Sequence, residues 1–127
     1  MPTKEKLELE YLIRSSNKVL YNLLSSPDGL SEWFADDVNV VGGVYHIIWD
    51  DEEGHARIQS HKPNEMIKYE WLDEDRKNTF LEFRIKTDPL TKDNALLVTD
   101  FCNTGDEKES RQLWDLLITQ LKARLGA

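Results

Sequence analysis

Apolar and polar residues alternate near the start of the chain. Leu7, Leu9, Tyr11 and Ile13 fall on one side, Glu8 and Glu10 on the other. A period of two with one polar side predicts a half-buried strand over residues 5–14; Leu12 interrupts its polar side. The period then lengthens. Ser15 and Ser16 offer an N-cap, and Val19, Leu20, Leu23 and Leu24 follow at helical spacing. Ser25-Ser26-Pro27 breaks that helix and starts another, with proline at the first helical position. Leu30, Trp33 and Phe34 would give the second helix one apolar face, closed by Asp36 and Asp37.

From Val38 to Asn103 the pattern predicts strands joined by short breaks. Val38, Val40 and Val41 run into Gly42-Gly43, a hairpin signal, and Val44–Trp49 is rich in β-branched and aromatic residues. Residues 50–54, Asp-Asp-Glu-Glu-Gly, read as a charged turn. Ala56–Ser60 alternates weakly. Ile67, Tyr69 and Trp71 alternate with Lys68 and Glu70, and Leu81, Phe83 and Ile85 with Glu82, Arg84 and Lys86. In the last strand Leu97, Thr99 and Phe101 read as the inward set, against Leu96, Val98 and Asp100. A long helix ends the chain. Asp106 and Glu109 have capping-box spacing, Lys122 and Arg124 suit the C-terminal dipole, and Gly126 suits the stop. Trp114, Leu117, Ile118, Leu121 and Leu125 make its apolar stripe, which Leu113 and Leu116 would widen.

The order is one strand, two short helices, six strands and one long helix. Short connections favour an antiparallel meander, and the apolar face of a meander needs a cover. The expected fold class is α+β: a helix-grip fold in which a curved antiparallel sheet of about seven strands surrounds a long C-terminal helix. Two short helices would lie between the first and second strands, and residues 1–127 would form a single domain.

Composition narrows the function classes. Among 127 residues, 24 are acidic and 16 basic, for a net charge of −8. Such a chain is a poor fit to nucleic acid or anionic lipid, which need a basic face. Leu, Ile, Val and Phe together exceed the roughly 20% below which disorder is expected. No apolar run suits membrane insertion, and the N-terminus does not read as a secretory signal. With one cysteine, Cys102, there is no internal disulfide to expect, and a cytoplasmic location is the default.

Several of these features occur together in one known family. Pro27, Leu30, Trp33 and Phe34, the Gly42-Gly43 hairpin, and a final helix with an early Trp114 resemble the START-like (SRPBCC) superfamily. The similarity is nearest to the branch named for the activator of heat-shock-protein-90 ATPase, and it covers essentially the whole chain. It implies a pocket between the concave sheet face and the long helix, used in the family for lipids, hormones and other apolar molecules. Some members are cyclases or dehydratases; others carry ligands or bind partners. Fold alone does not choose among these.

The candidate ligand-binding residues are Trp33, Phe34, Tyr45, Tyr69, Trp71, Phe83, Thr99, Phe101, Trp114, Leu117, Ile118 and Leu121. Large rings are ordinary core material, burying about 150–250 Å² each. They are also what lines an apolar cavity. For Trp33, Phe34, Tyr45, Trp71 and Trp114 both roles stay open, because the resemblance puts the pocket there. No catalytic residue is assigned: Cys102 has no signalled base, and there is no nucleophile elbow, P-loop or dinucleotide fingerprint. His46, His55 and His61 lack the spacing of a metal motif, and the neighbouring acids read as a solvated hairpin tip, so neither metal nor cofactor is expected. The reading is a non-enzymatic domain for a small apolar or amphipathic molecule. An alternative is an interaction or co-chaperone-like module, homodimeric through the outer sheet face or the Trp33–Phe34 end. Leu12, Val44, Ile48, Leu72, Phe80, Leu96 and Val98 would supply that outer face. A cyclase- or dehydratase-type enzyme is the third reading.

Overall fold

A computed structural model describes residues 4–126; residues 1–3 and 127, including the start of the chain weighed above as a leader, lie outside them. Strand β1 (Lys4–Ile13) is followed by helices α1 (Asn17–Ser25) and α2 (Pro27–Leu30). Strands β2 (Asp37–Val41), β3 (Val44–Trp49), β4 (Glu52–Lys62), β5 (Met66–Trp71), β6 (Phe80–Thr87) and β7 (Asn94–Asn103) come next, then helix α3 (Glu107–Leu125). All strand pairs are antiparallel, in the order β1-β7-β6-β5-β4-β3-β2. The α+β helix-grip architecture expected from the pattern is therefore the one observed. Because β1 and β2 are the two edges, the short helices must carry the chain from one edge of the sheet to the other.

Local chemistry sets those turns. Ser16 caps α1 by accepting the Val19 N–H at 3.2 Å, and Ser26 caps α2 by accepting from Gly29 at 2.9 Å. Gly42 and Gly43, at φ 58° and 80°, make the tight β2–β3 hairpin that other residues resist. Gly126 ends α3 at φ 68°, its N–H returned to Lys122 and Ala123.

The C-terminus of α1 is closed in an unusual way. It has no basic residue in its last turn. Instead, Trp33 Nε1 donates to the Leu23 carbonyl at 2.7 Å, Tyr69 Oη to Leu24 at 2.7 Å, and Tyr45 Oη to Ser25 at 2.8 Å. Three successive helix-end carbonyls, which have no intrahelical partner of their own, thus receive donors from buried rings. Burial pushes both tyrosine hydroxyls above their ordinary pKa, so they stay protonated donors. The helix end and the sheet are thereby locked together.

Five expectations need correction. First, Leu96 and Val98 are fully buried on the inner face, so Thr99 and Phe101 lie on the outer one. Both faces of β7 carry apolar residues, so its own alternation cannot choose; its neighbours do, since Val98 sits beside Leu9 of β1 and Phe83 of β6. Second, α2 closes at Leu30, and Trp33 and Phe34 follow in a turn held by the Phe34 N–H on the Leu30 carbonyl at 2.9 Å. Both rings are buried, so that end offers no exposed aromatic surface. Third, Asp106 precedes α3 but makes no side-chain cap; its φ of −100° and ψ of 11° depart from the extended geometry a capping box needs. Fourth, Leu113 and Leu116 do not widen the buried stripe. They are 57% and 64% exposed, while Trp114, Ile118 and Leu121 carry the packing. Fifth, only Asp50 and Asp51 form the charged turn; Glu52 and Glu53 already belong to β4.

Candidate functional site

Helix α3 covers the concave face unevenly. Beside α1 the interior is filled: Phe83, Tyr69, Leu24, Ile118 and Leu121 are almost wholly excluded from water. Away from α1, the β3–β4 turn, the β5–β6 connection and the start of α3 stand apart and leave a cavity of about 440 Å³. That volume falls within the ordinary range for a small-molecule site, about 300–1,000 Å³. Two other depressions, one by Glu107, Lys108 and Arg111 and one by Lys18, Asn22 and Arg124, are more open to solvent, and no tryptophan lines either.

Rings make the cavity wall. Trp49, Trp71, Trp114 and Phe34 line it together with Leu81, Leu113 and Leu117. Phe34 packs edge-on to Trp49 at 5.7 Å, Trp49 lies 6.3 Å from Trp71, and Phe34 lies 5.9 Å from Trp114. Polar anchors hold two of these indoles. Trp49 Nε1 donates to the Phe34 carbonyl at 3.0 Å, and Trp114 Nε1 donates to Asp100 Oδ2 at 2.8 Å.

Charge enters from two directions. Asp100 is a half-buried carboxylate on the inner face of β7; desolvation pushes its pKa up, against the Trp114 N–H and the more distant Arg76 and Lys4, which favour the charge. Arg76, from the 3₁₀ turn Glu74–Arg76, places its guanidinium over the Trp71 ring at 4.7 Å and near the Trp49 ring at 5.4 Å. It pairs loosely with Glu52 at 3.7 Å and Asp73 at 3.8 Å. Gly54 makes this crowding feasible. A Cβ there would sit 2.7 Å from Arg76 Nη1 and 3.0–3.1 Å from the Trp71 and Trp49 rings.

Of the residues singled out from sequence, Phe34, Trp71, Phe101, Trp114 and Leu117 border this cavity. Phe101 does so while its ring packs on Phe80 at 5.0 Å. Trp33, Tyr45, Tyr69, Phe83, Ile118 and Leu121 belong to the adjoining core, and Thr99 lies on the outer sheet face. The candidate set drawn from the sequence left out Trp49, Gly54, Arg76 and Asp100. Trp49 was within reach, since it continues the inward set Tyr45 and Ile47 of β3. Asp100 depended on the face of β7, and Arg76 lies in a polar loop with no pattern at all. Cys102 is buried, and desolvation raises its thiol pKa, which makes it an inert core group.

A family model described as a START-like superfamily domain matches residues 1–127. The chain belongs to the START-like superfamily. Similar solved structures carry the same fold. The solution structure of the Aha1 dimer from Colwellia psychrerythraea superposes with a TM-score of 0.80 at 18% identity, covering 95% of this chain and 96% of that one. Protein BfR322 from Bacteroides fragilis is 31% identical, with a TM-score of 0.66 over 95% of this START-like domain and 90% of its own chain. Protein MLL2253 from Mesorhizobium loti gives 0.73 at 16% identity, over 94% and 95% of the two chains. No curated protein sequence matches the chain. START-like domains serve in ligand binding or in interaction. Among the described residues, no helix is long and apolar enough to cross a membrane.

Proposed function

We propose that this START-like domain is a non-enzymatic carrier or sensor of a small amphipathic molecule, held between the sheet and the first half of α3. The observation that carries this reading is the 440 Å³ cavity walled by Trp49, Trp71, Trp114 and Phe34, with Asp100 and Arg76 also lining it. Four rings offer apolar contact, and a few fixed polar groups orient what enters. The balance of charge narrows the ligand class. Asp50, Asp51, Glu52 and Asp100 line the cavity against Lys4 and Arg76, so carboxylates outnumber cations. A molecule with an apolar body and a neutral or positively charged polar end fits that field better than a fatty acid does.

The test uses the three cavity tryptophans as reporters. Decyltrimethylammonium should change their fluorescence saturably, below its aggregation concentration, and decanoate should do so far more weakly. Trp71→Ala should weaken that binding by more than tenfold when measured on the folded variant, and should also cost stability, about 3–5 kcal/mol, because the ring is buried. Equal response to both amphiphiles, or none to either, refutes the assigned ligand class. Native mass spectrometry of protein from a cytoplasmic preparation would then identify the physiological molecule by its extra mass.

A second reading is favoured by two observations. Leu113 and Leu116 stand exposed one turn apart on α3, and one similar structure is a dimer. Self-association through α3 would cover them. Light scattering at high concentration should then show a dimer that Leu116→Lys returns to monomer.

A further inference from the structure

We infer that His46, Glu53 and His55 form a binding site for a divalent transition-metal ion of the zinc class on the outer face of the sheet, behind the cavity. The strand register builds it. His46 of β3 lies directly opposite His55 of β4, and Glu53 stands two residues earlier on the same face as His55. One ligand atom from each of the three residues falls within 4.8 Å of the other two.

The separations suit an ion better than a hydrogen bond. Glu53 Oε1 is 3.8 Å from His46 Nδ1, and Glu53 Oε2 is 3.7 Å from His55 Nε2. Both exceed hydrogen-bond length. Donor atoms that each lie about 2.0–2.1 Å from one tetrahedral zinc are about 3.3 Å from one another, so small side-chain rotations close the set. The two imidazoles meet edge to face, at 86° and 4.9 Å between ring centres.

A neighbouring carboxylate prepares one ligand. Asp73 Oδ1 lies 2.8 Å from His55 Nδ1, and Asp73 Oδ2 accepts the His55 backbone N–H at 2.8 Å. An Nδ1–H donated to that carboxylate leaves the Nε2 lone pair facing Glu53. This is the carboxylate–histidine–metal relay that orients and strengthens imidazole ligands. Two nitrogens and one carboxylate oxygen select zinc, cobalt, nickel or copper over calcium or magnesium. The remaining position would hold water. Asp73 also stands 3.8 Å from Arg76 Nη1, so the metal site and the cavity wall share one carboxylate.

The experiment takes the untagged chain, strips it with chelator, and titrates it with Zn²⁺ by calorimetry and Co²⁺ by visible absorption. One equivalent should bind with micromolar affinity, and cobalt should show the intense bands of a four-coordinate site. His46→Ala or His55→Ala should abolish saturable binding. Asp73→Asn should weaken it by about 10–100-fold, as loss of an orienting carboxylate does. His61→Ala should change nothing. In the unmodified protein, zinc should move the imidazole nitrogen resonances of His46 and His55 and leave those of His61 in place, a readout that needs no variant to fold. Absence of saturable binding, or binding that survives both His46→Ala and His55→Ala, overturns the inference and leaves the cluster a surface ion-pair network.

Discussion

The concave face of the sheet has two ends built from the same kind of residue and put to different use. Near α1, Trp33, Tyr45, Tyr69 and Phe83 interlock with Leu24, Ile118 and Leu121. Away from it, Phe34, Trp49, Trp71 and Trp114 stand around open space. Ring content does not separate the two; the destination of each polar tip does. In the filled end the Trp33, Tyr45 and Tyr69 donors each reach a helix-end carbonyl of α1. In the open end the Trp114 donor is spent on a charged carboxylate that burial itself disfavours. Arg76 there rests on indole faces with only loose carboxylate partners. One end turns its ring donors onto its own backbone, and the other gathers charged groups around a cavity. Such incompletely compensated groups in a cleft are a general mark of a functional site.

The comparison breaks if the filled end proves dispensable. Phe83, with no exposure, touches both Trp33 and Trp114, at 5.8 and 6.0 Å. Phe83→Ala should cost about 3–5 kcal/mol, as deletion of a fully buried ring does, measured by urea unfolding. A loss below about 1 kcal/mol would mean that this end is loosely packed too, against the close packing expected of a core. Tyr69→Phe removes only the hydroxyl on the Leu24 carbonyl. It should cost about 1–3 kcal/mol by leaving a buried acceptor unmet, with amphiphile binding unchanged. A variant as stable as the parent would show that the Tyr69 hydroxyl contributes nothing to the closure of α1.

How much of this was legible in the sequence follows from the same division. Regular periods specify the filled end: Ile118 and Leu121 on α3, Ile67 and Tyr69 on β5, and Phe83 and Ile85 on β6 name most of its members, and the same periods run on to the cavity residues Trp71, Leu81 and Trp114. The whole element order was readable for that reason. The charged groups of the open end are specified by exceptions. Asp100 is a charge on an inner face, where a strand pattern expects an apolar residue. Arg76 enters from a loop with no period, and Gly54 matters for the side chain it lacks. The histidine pair was hidden in another way. Register, not sequence spacing, sets His46 opposite His55, and the acids read as one turn divide between the turn and β4.

Two smaller effects sharpen the contrast from the open end. Gly54→Ala would press a methyl against Arg76, Trp71 and Trp49. Because the nearest atom is the tip of a flexible arginine, the cost should be about 1 kcal/mol, at the low end for overpacking. Binding of decyltrimethylammonium should suffer more than stability, since the displaced groups are the cavity wall. If stability falls and binding does not, the wall lies elsewhere.

Asp100→Asn should act in the opposite direction. The folded-state pKa of Asp100 lies above its unfolded value, chiefly through desolvation. The contribution of such a group is fully present below the unfolded pKa and is lost as pH rises through the folded one. At neutral pH the parent therefore carries a small penalty that asparagine, with an oxygen to accept the Trp114 N–H, does not. Urea unfolding of both proteins across the acidic range should show the variant gaining on the parent as pH rises, with a flat difference once Asp100 is fully ionised. The same change removes a negative charge from the cavity, so the variant should gain stability while losing affinity for the cationic amphiphile. A stabilised variant with unchanged affinity would assign Asp100 to the fold alone. Losing both would mean that Asp100, like the rings of the filled end, is matched by its own chain.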